Sequence, residues 1–267
     1  MTETSAKWGD LGPRVTSAIV LLVIGGGAVW LGGAVFLYVA AIAAALIGWE
    51  IARICNLGGG AMPVATGFVA GSAILFSGTA HQFSGYASDG VLVVLLAGVP
   101  VVAAAAVAPG GDRLRMFSYL AWVMIATWGL VDLRGLGLVP VIWLAALVVA
   151  SDVAGYFVGR SMGGAKFWPR LSPKKTWSGT VGGWVAAGLV GAIFAPYLGL
   201  GAIWLSVVVA FASQMGDIAA SALKRAHGVK DFSALIPGHG GMFDRFDALM
   251  GAALMVTLAR LFGLIGG

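Results

Sequence analysis

Leu138-Val-Pro-Val-Ile-Trp-Leu-Ala-Ala-Leu-Val-Val-Ala-Ser-Asp152-Val-Ala-Gly-Tyr-Phe-Val158 decides the fold class, because it runs for 21 residues with one charged side chain. A helix of about 20 apolar residues is long enough to cross the hydrocarbon of a bilayer. The pattern recurs along the chain. Before it, spans are expected at Val15–Leu31, Gly33–Glu50, Ala61–Gly78, Gly90–Ala108 and Phe117–Leu133. After it come Thr180–Leu198, Ile203–Leu223 and Phe243–Leu264. The 267 residues are 60% hydrophobic and only 10% charged, outside the range of a soluble globular domain. These observations predict an all-α polytopic integral membrane protein with about nine transmembrane helices. Gly32 and Gly33 join the first two spans so tightly that a helical hairpin is expected there.

Basic residues set the orientation, since loops rich in Lys and Arg stay in the cytoplasm. With a cytoplasmic N-terminus carrying Lys7 and Arg14, fourteen of the sixteen bases fall on one side, leaving only Arg134 and Arg260 opposite. The net charge of +5 therefore reflects inter-span loops, and no nucleic-acid partner is expected. The polar stretch Met1–Asp10 is not followed by a cleavage site for a removable signal peptide. The lone Cys55 excludes an internal disulfide and a cysteine-based metal cage, leaving oxygen and histidine as candidate ligands, and itself reads as a small apolar filler. The 42 glycines read chiefly as close-packing sites between helices, and tryptophans such as Trp8, Trp30, Trp49 and Trp177 as an interfacial belt.

Charge is concentrated in one place. Gly216–Asp247 holds four of the eleven acids and four of the sixteen bases. Asp217, Ser221, Lys224 and Arg225 would share one side of a helix, and Asp244 and Asp247 are three apart on another. Between them lies a polar loop with Lys230, Asp231, Pro237 and Gly238-His239-Gly240-Gly241. The set offers oxygen ligands for a hard cation beside cations able to hold phosphate. Glycines around His239 let backbone donors approach such a ligand. Asp231 has a second reading, pairing with Lys230 or Arg225, while His227 reads as a surface residue.

Two more segments belong to the same inventory. Asp152 is an ionisable residue in an apolar run, a functional position by default, and shares a helical face with Tyr156, Gly159 and Arg160. Ser172-Pro-Lys-Lys-Thr-Trp177 reads as a turn or helix start with Ser172 available as N-cap. Its adjacent Lys174 and Lys175 suit a polyphosphate. The plainer reading of this loop is contact with anionic lipid.

Ser221, Lys224-Arg225, Lys230-Asp231, His239-Gly240-Gly241, Asp244-Arg245 and Asp247 fill 27 residues with a spacing that resembles the signature of the phosphatidate cytidylyltransferase family. Ser172-Pro-Lys-Lys-Thr-Trp177 is similar to a second motif of that family, which has an acid where Ser178 stands here. The resemblance implies one membrane-embedded catalytic domain over residues 1–267, with N-terminal helices (1–135) and helices carrying the active site (136–267). It implies the reaction of CTP with phosphatidate, giving CDP-diacylglycerol and pyrophosphate, at the cytoplasmic face of a bacterial-type inner membrane.

On that reading Asp217 and Asp244 are the principal magnesium ligands, with Asp247 and Asp231 as helpers. Lys224, Arg225, Lys174 and Lys175 contact phosphate, and Asp152, Ser172, Thr176, Ser221, Lys230, His239, Gly240, Gly241 and Arg245 complete the substrate site. Potassium as a second ion and a homodimer are further implications of the resemblance. The alternatives are an ion-coupled secondary transporter, with Asp152 and Asp217 as coupling ligands, and another lipid-phosphate transferase. Acids placed near basic loops at one face count against the transporter.

Overall fold

The computed structural model describes residues 11–55, 60–84 and 90–263, with side chains left out at Leu11 and over 81–97. The expectations for Lys7 and Trp8 lie outside these residues. Among the described residues the helices are α1 (Leu11–Leu31), α2 (Gly33–Ile54), α3 (Ala61–Ser84), α4 (Gly90–Val107) and α5 (Arg113–Gly135). There follow α6 (Leu138–Met162), strands β1 (Lys166–Trp168) and β2 (Ser172–Thr176), then α7 (Trp177–Leu198), α8 (Gly201–Ala226) and α9 (Phe243–Leu261).

Each expected span has its helix. Seven, α1 to α3 and α5 to α8, are long and apolar enough to cross a membrane. The described part of α4 is a shorter apolar helix, and α9 carries Asp244, Arg245, Asp247 and Arg260. The architecture is that of an all-α polytopic membrane protein. Large apolar side chains such as Leu22, Trp30, Phe68, Phe76, Ile193 and Trp204 stand exposed, as lipid-facing groups must in a bilayer solvent. The turn expected between the first two spans is made by Gly32 and Gly33, with φ of 64° and 48°, a region open chiefly to glycine.

The chain divides into two compact units, Met1–Met124 with His227–Phe246, and Ile125–Ala226 with Asp247–Gly267. In the first, α3 lies against α2 through Gly67 and Gly71, one turn apart. A Cβ on Gly67 would stand 2.5 Å from the Ala45 carbonyl oxygen, and one on Gly71 would stand 2.8 Å from that of Ala41. In the second, α6, α7 and α8 pack successively through small residues. Gly179 meets the Gly155 carbonyl, Gly183 meets Ser151 and Gln214, and Gly191 meets Ser206. Glycine here brings backbones close where lipid supplies no hydrophobic drive for association.

One local expectation is corrected. Ser172–Thr176 is a strand paired antiparallel with β1 (Lys166 with Thr176, Trp168 with Ser172), so Ser172 caps no helix. The N-cap of α7 is Thr176, whose Oγ1 accepts from the Gly179 amide at 3.2 Å. Pro173 lacks a backbone donor and tolerates an edge strand, so the motif enters its helix from a hairpin.

Candidate active site

In the first unit the signature loop is folded around two buried carboxylates. Asp244, 9% exposed in the first turn of α9, accepts through Oδ2 from the amides of Phe232 (2.8 Å) and Gly241 (2.9 Å). Such bonds satisfy donors that a helix start and a tight loop would otherwise bury unpaired. Glu50, with 0% exposure, accepts from the amides of Met242 and Phe243, each at 2.8 Å, and from the Ser233 hydroxyl at 2.5 Å. A buried carboxyl group at the N-terminus of α9 thus faces donor groups and the positive end of the helix dipole. Phe243, itself fully buried, packs on Phe232 and Trp122 behind this contact.

Sequence reasoning missed Glu50. It is an ionisable residue near the end of an apolar run, and the argument that singled out Asp152 applied to it equally.

The rest of the loop is equally specific. A Cβ on Gly240 (φ 83°) would stand 3.0 Å from Asp244 Oδ2 and 3.2 Å from the Cβ of Asp231, so these two acids converge on a glycine. Gly241 has no room for a side chain, because its Cβ would lie 2.5 Å from Glu50 Oε1. The amides expected to face a ligand are engaged within the loop. Those of His239 and Gly240 donate to Ile236 O at 2.9 and 3.1 Å, and that of Gly241 to Asp244. The His239 ring reaches Ser17 on α1, with Nδ1 and Oγ 2.7 Å apart, while Arg14 Cγ crowds Gly238. Lys230, Asp231 and Arg245 are exposed.

The second unit assembles the other half of the inventory. Lys175 Nζ, projecting from β2, donates to Asp217 Oδ2 at 3.1 Å and to the Gln214 carbonyl at 3.3 Å on α8. Asp152 on α6 lies within electrostatic range of both Lys175 and Asp217. Gln214 is held by the Trp184 indole and donates to Ser151 Oγ and Thr180 O, which fixes the turn of α8 preceding Asp217. Lys174 is exposed, and Ser178, where an acid was expected, donates to Gly163 O at 2.5 Å and serves the hairpin. Ser221 and Lys224 are half-buried on α8, with Arg225 exposed beside them. Gly216 and Gly251 mark a close crossing of α8 and α9, since a Cβ on Gly216 would be 2.5 Å from the Asp247 carbonyl. Asp217 and the buried Asp247 flank this crossing.

A sequence model described as the cytidylyltransferase family matches residues 12–262. The chain belongs to that family. Among its relatives are the phosphatidate cytidylyltransferase of Brucella suis biovar 1, 45% identical over 133 residues and 48% of each chain, and that of Bacillus subtilis, 39% identical over 128 residues. The Bacillus match covers 45% of this chain and 48% of the relative. That of Haemophilus influenzae is 41% identical over 125 residues, 43% of each. The chain thus spans about half the length of the curated relatives it matches.

For this cytidylyltransferase the magnesium expected from sequence meets donors of the right class. Hard cations take carboxylate oxygens and keep positions for water and substrate phosphates. Asp231 and Asp244 both approach Gly240 in one unit, while in the other Asp217 pairs with Lys175 and Asp247 is buried on α9. By donor type alone, these carboxylates suit such an ion.

Proposed function

We propose that this cytidylyltransferase transfers the cytidylyl group of CTP to phosphatidate, releasing pyrophosphate and forming CDP-diacylglycerol at the cytoplasmic face of the membrane. What carries the reading is that the whole Ser221–Asp247 signature is present in a member of the family and is folded around a buried Asp244. The phosphate monoester of phosphatidate has a second pKa of about 6, so it is largely dianionic at neutral pH and needs no general base. One of its oxygens attacks the α-phosphorus of CTP, and the bond to the β-phosphate oxygen breaks. Two charges plus four on the reactants become two plus four on the products, and no proton has to move.

The obstacle is repulsion between anions. Lys175, already fixed against Asp217, and Lys174, Lys224, Arg225, Lys230 and Arg245 bind and orient phosphates, and His239 and Ser221 belong to the same proposed set. Asp217 and Asp247 in one unit, and Asp244 with Asp231 in the other, are the residues that would hold magnesium, which when bound would supply charge neutralisation for the leaving pyrophosphate. Asp152, Ser172, Thr176, Gly240 and Gly241 complete the proposed substrate-binding set. Potassium as a second ion and a homodimer belong to the same proposal.

The test uses purified protein with α-labelled CTP, magnesium and phosphatidate in mixed micelles. Label appearing in CDP-diacylglycerol with release of pyrophosphate is expected. Label entering only a different lipid acceptor, or substrate flux in proteoliposomes without nucleotide, overturns the reading in favour of another transferase or a transporter.

A further inference from the structure

Away from the carboxylates assigned to magnesium, three segments of the first unit bring a thiol, a carboxylate and an imidazole together. Cys55 closes the C-terminus of α2, Asp112 precedes α5, and His227 opens the signature loop. One ligand atom from each lies within 4.8 Å of the other two. The expectation that His227 is a surface residue is corrected here. Its side chain is 10% exposed and its Nε2 is 3.1 Å from Asp112 Oδ1. Cys55, expected as an apolar filler, is fully buried but beside two ligand-bearing side chains, and among the described residues the open side of the cluster is that of Asp112 and His227, 13% and 10% exposed.

We infer that Cys55, Asp112 and His227 form a binding site for a borderline-soft divalent cation of the zinc class. Sulfur, nitrogen and oxygen together are a zinc donor set, whereas magnesium takes oxygen alone. Metal bonds of about 2.0 to 2.3 Å in tetrahedral geometry put ligand atoms about 3.3 to 3.8 Å apart, so side-chain adjustments of under an ångström or so suffice. Three protein ligands leave the fourth position to water on the open side. Arg115, 48% exposed, donates to Asp112 Oδ1 at 2.8 Å and is placed to hold the carboxylate from outside, as outer-shell partners of metal sites do. A bound ion ties the end of α2 and the start of α5 to the first residue of the signature loop. The site is independent of the proposed transferase activity.

Cobalt(II) serves as the optical probe, titrated into the purified full-length protein with magnesium in excess to fill oxygen-only sites. One equivalent should bind with a thiolate-to-cobalt charge-transfer band in the near ultraviolet and tetrahedral visible bands, both displaced by zinc. Cys55→Ala should lose the charge-transfer band, and His227→Gln should bind at least about tenfold more weakly. X-ray absorption of the zinc-loaded wild type should show one sulfur in the first shell, and this measurement needs no variant to fold. A shell of nitrogen and oxygen alone, or a wild type with no charge-transfer band at saturating cobalt, overturns the site. So does an unchanged titration in Cys55→Ala.

Discussion

Glu50 accepts the amide of Phe243 at 2.8 Å from a position 193 residues earlier in the chain. The same side chain accepts from the Met242 amide and the Ser233 hydroxyl, so one buried acid starts α9 and shapes the loop before it. Glu50→Ala leaves these donors buried without an acceptor, and each such loss costs about 1–3 kcal/mol. Glu50→Gln keeps one acceptor and the shape. A large fall in thermal midpoint is expected for Ala and a smaller one for Gln, read by intrinsic fluorescence of purified protein. Equal midpoints for wild type and Glu50→Ala would contradict the contact.

Asp217 and Asp244 are both part of the proposed reaction, yet their environments predict different failures. Asp217 is 41% exposed and paired with Lys175, an arrangement that adds under about 1 kcal/mol to stability. Asp217→Ala should lower the proposed CDP-diacylglycerol synthesis at least about a hundredfold with little change in thermal midpoint. Asp244→Ala should lose synthesis and also stability, because the amides of Phe232 and Gly241 lose their acceptor. Activity and unfolding measured on the same preparations separate the two. Near-normal synthesis in either variant would remove that residue from the mechanism.

Gly216 tests the crossing beside Asp217 and Asp247. A methyl group there meets backbone on two sides, the Asp247 carbonyl at 2.5 Å and Gly251 Cα at 3.0 Å, and backbone cannot rotate away as a side chain can. Gly216→Ala should cost about 1–3 kcal/mol and reduce turnover with it. Gly188→Ala provides the control, since its Cβ would meet only Val207 Cγ2 at 3.4 Å. A Gly216→Ala protein with wild-type melting and activity would show that the helices can part there freely.

Asp112 gives a pH dependence with a definite sign. Burial pushes its carboxyl up, but hydrogen bonds and charge from Arg115 and His227 outweigh this and hold it below the usual carboxylate range. A carboxylate depressed in the folded state contributes stability above its unfolded value, near 3.9, and loses it as the pH falls through the folded value. The thermal midpoint should therefore drop on acidification below about pH 4 more steeply in wild type than in Asp112→Asn. Parallel acid limbs for the two proteins would refute the pairing.

The membrane class was legible from Leu138–Val158 and its repeats, because span length and hydropathy are properties of a contiguous window. The signature was legible for a related reason, its residues being crowded into 27 positions. Hairpin geometry was not: Ser172-Pro173 suits a helix start as well as an edge strand, and only pairing with Lys166–Trp168 chose the strand. Nor could sequence show what a buried charge would find. Glu50 meets Ser233 across 183 residues, and His227 meets Asp112 across 115. Local pattern fixes which segments enter the bilayer, whereas the need to give each buried polar group a partner is met at long range, and only tertiary packing selects that partner.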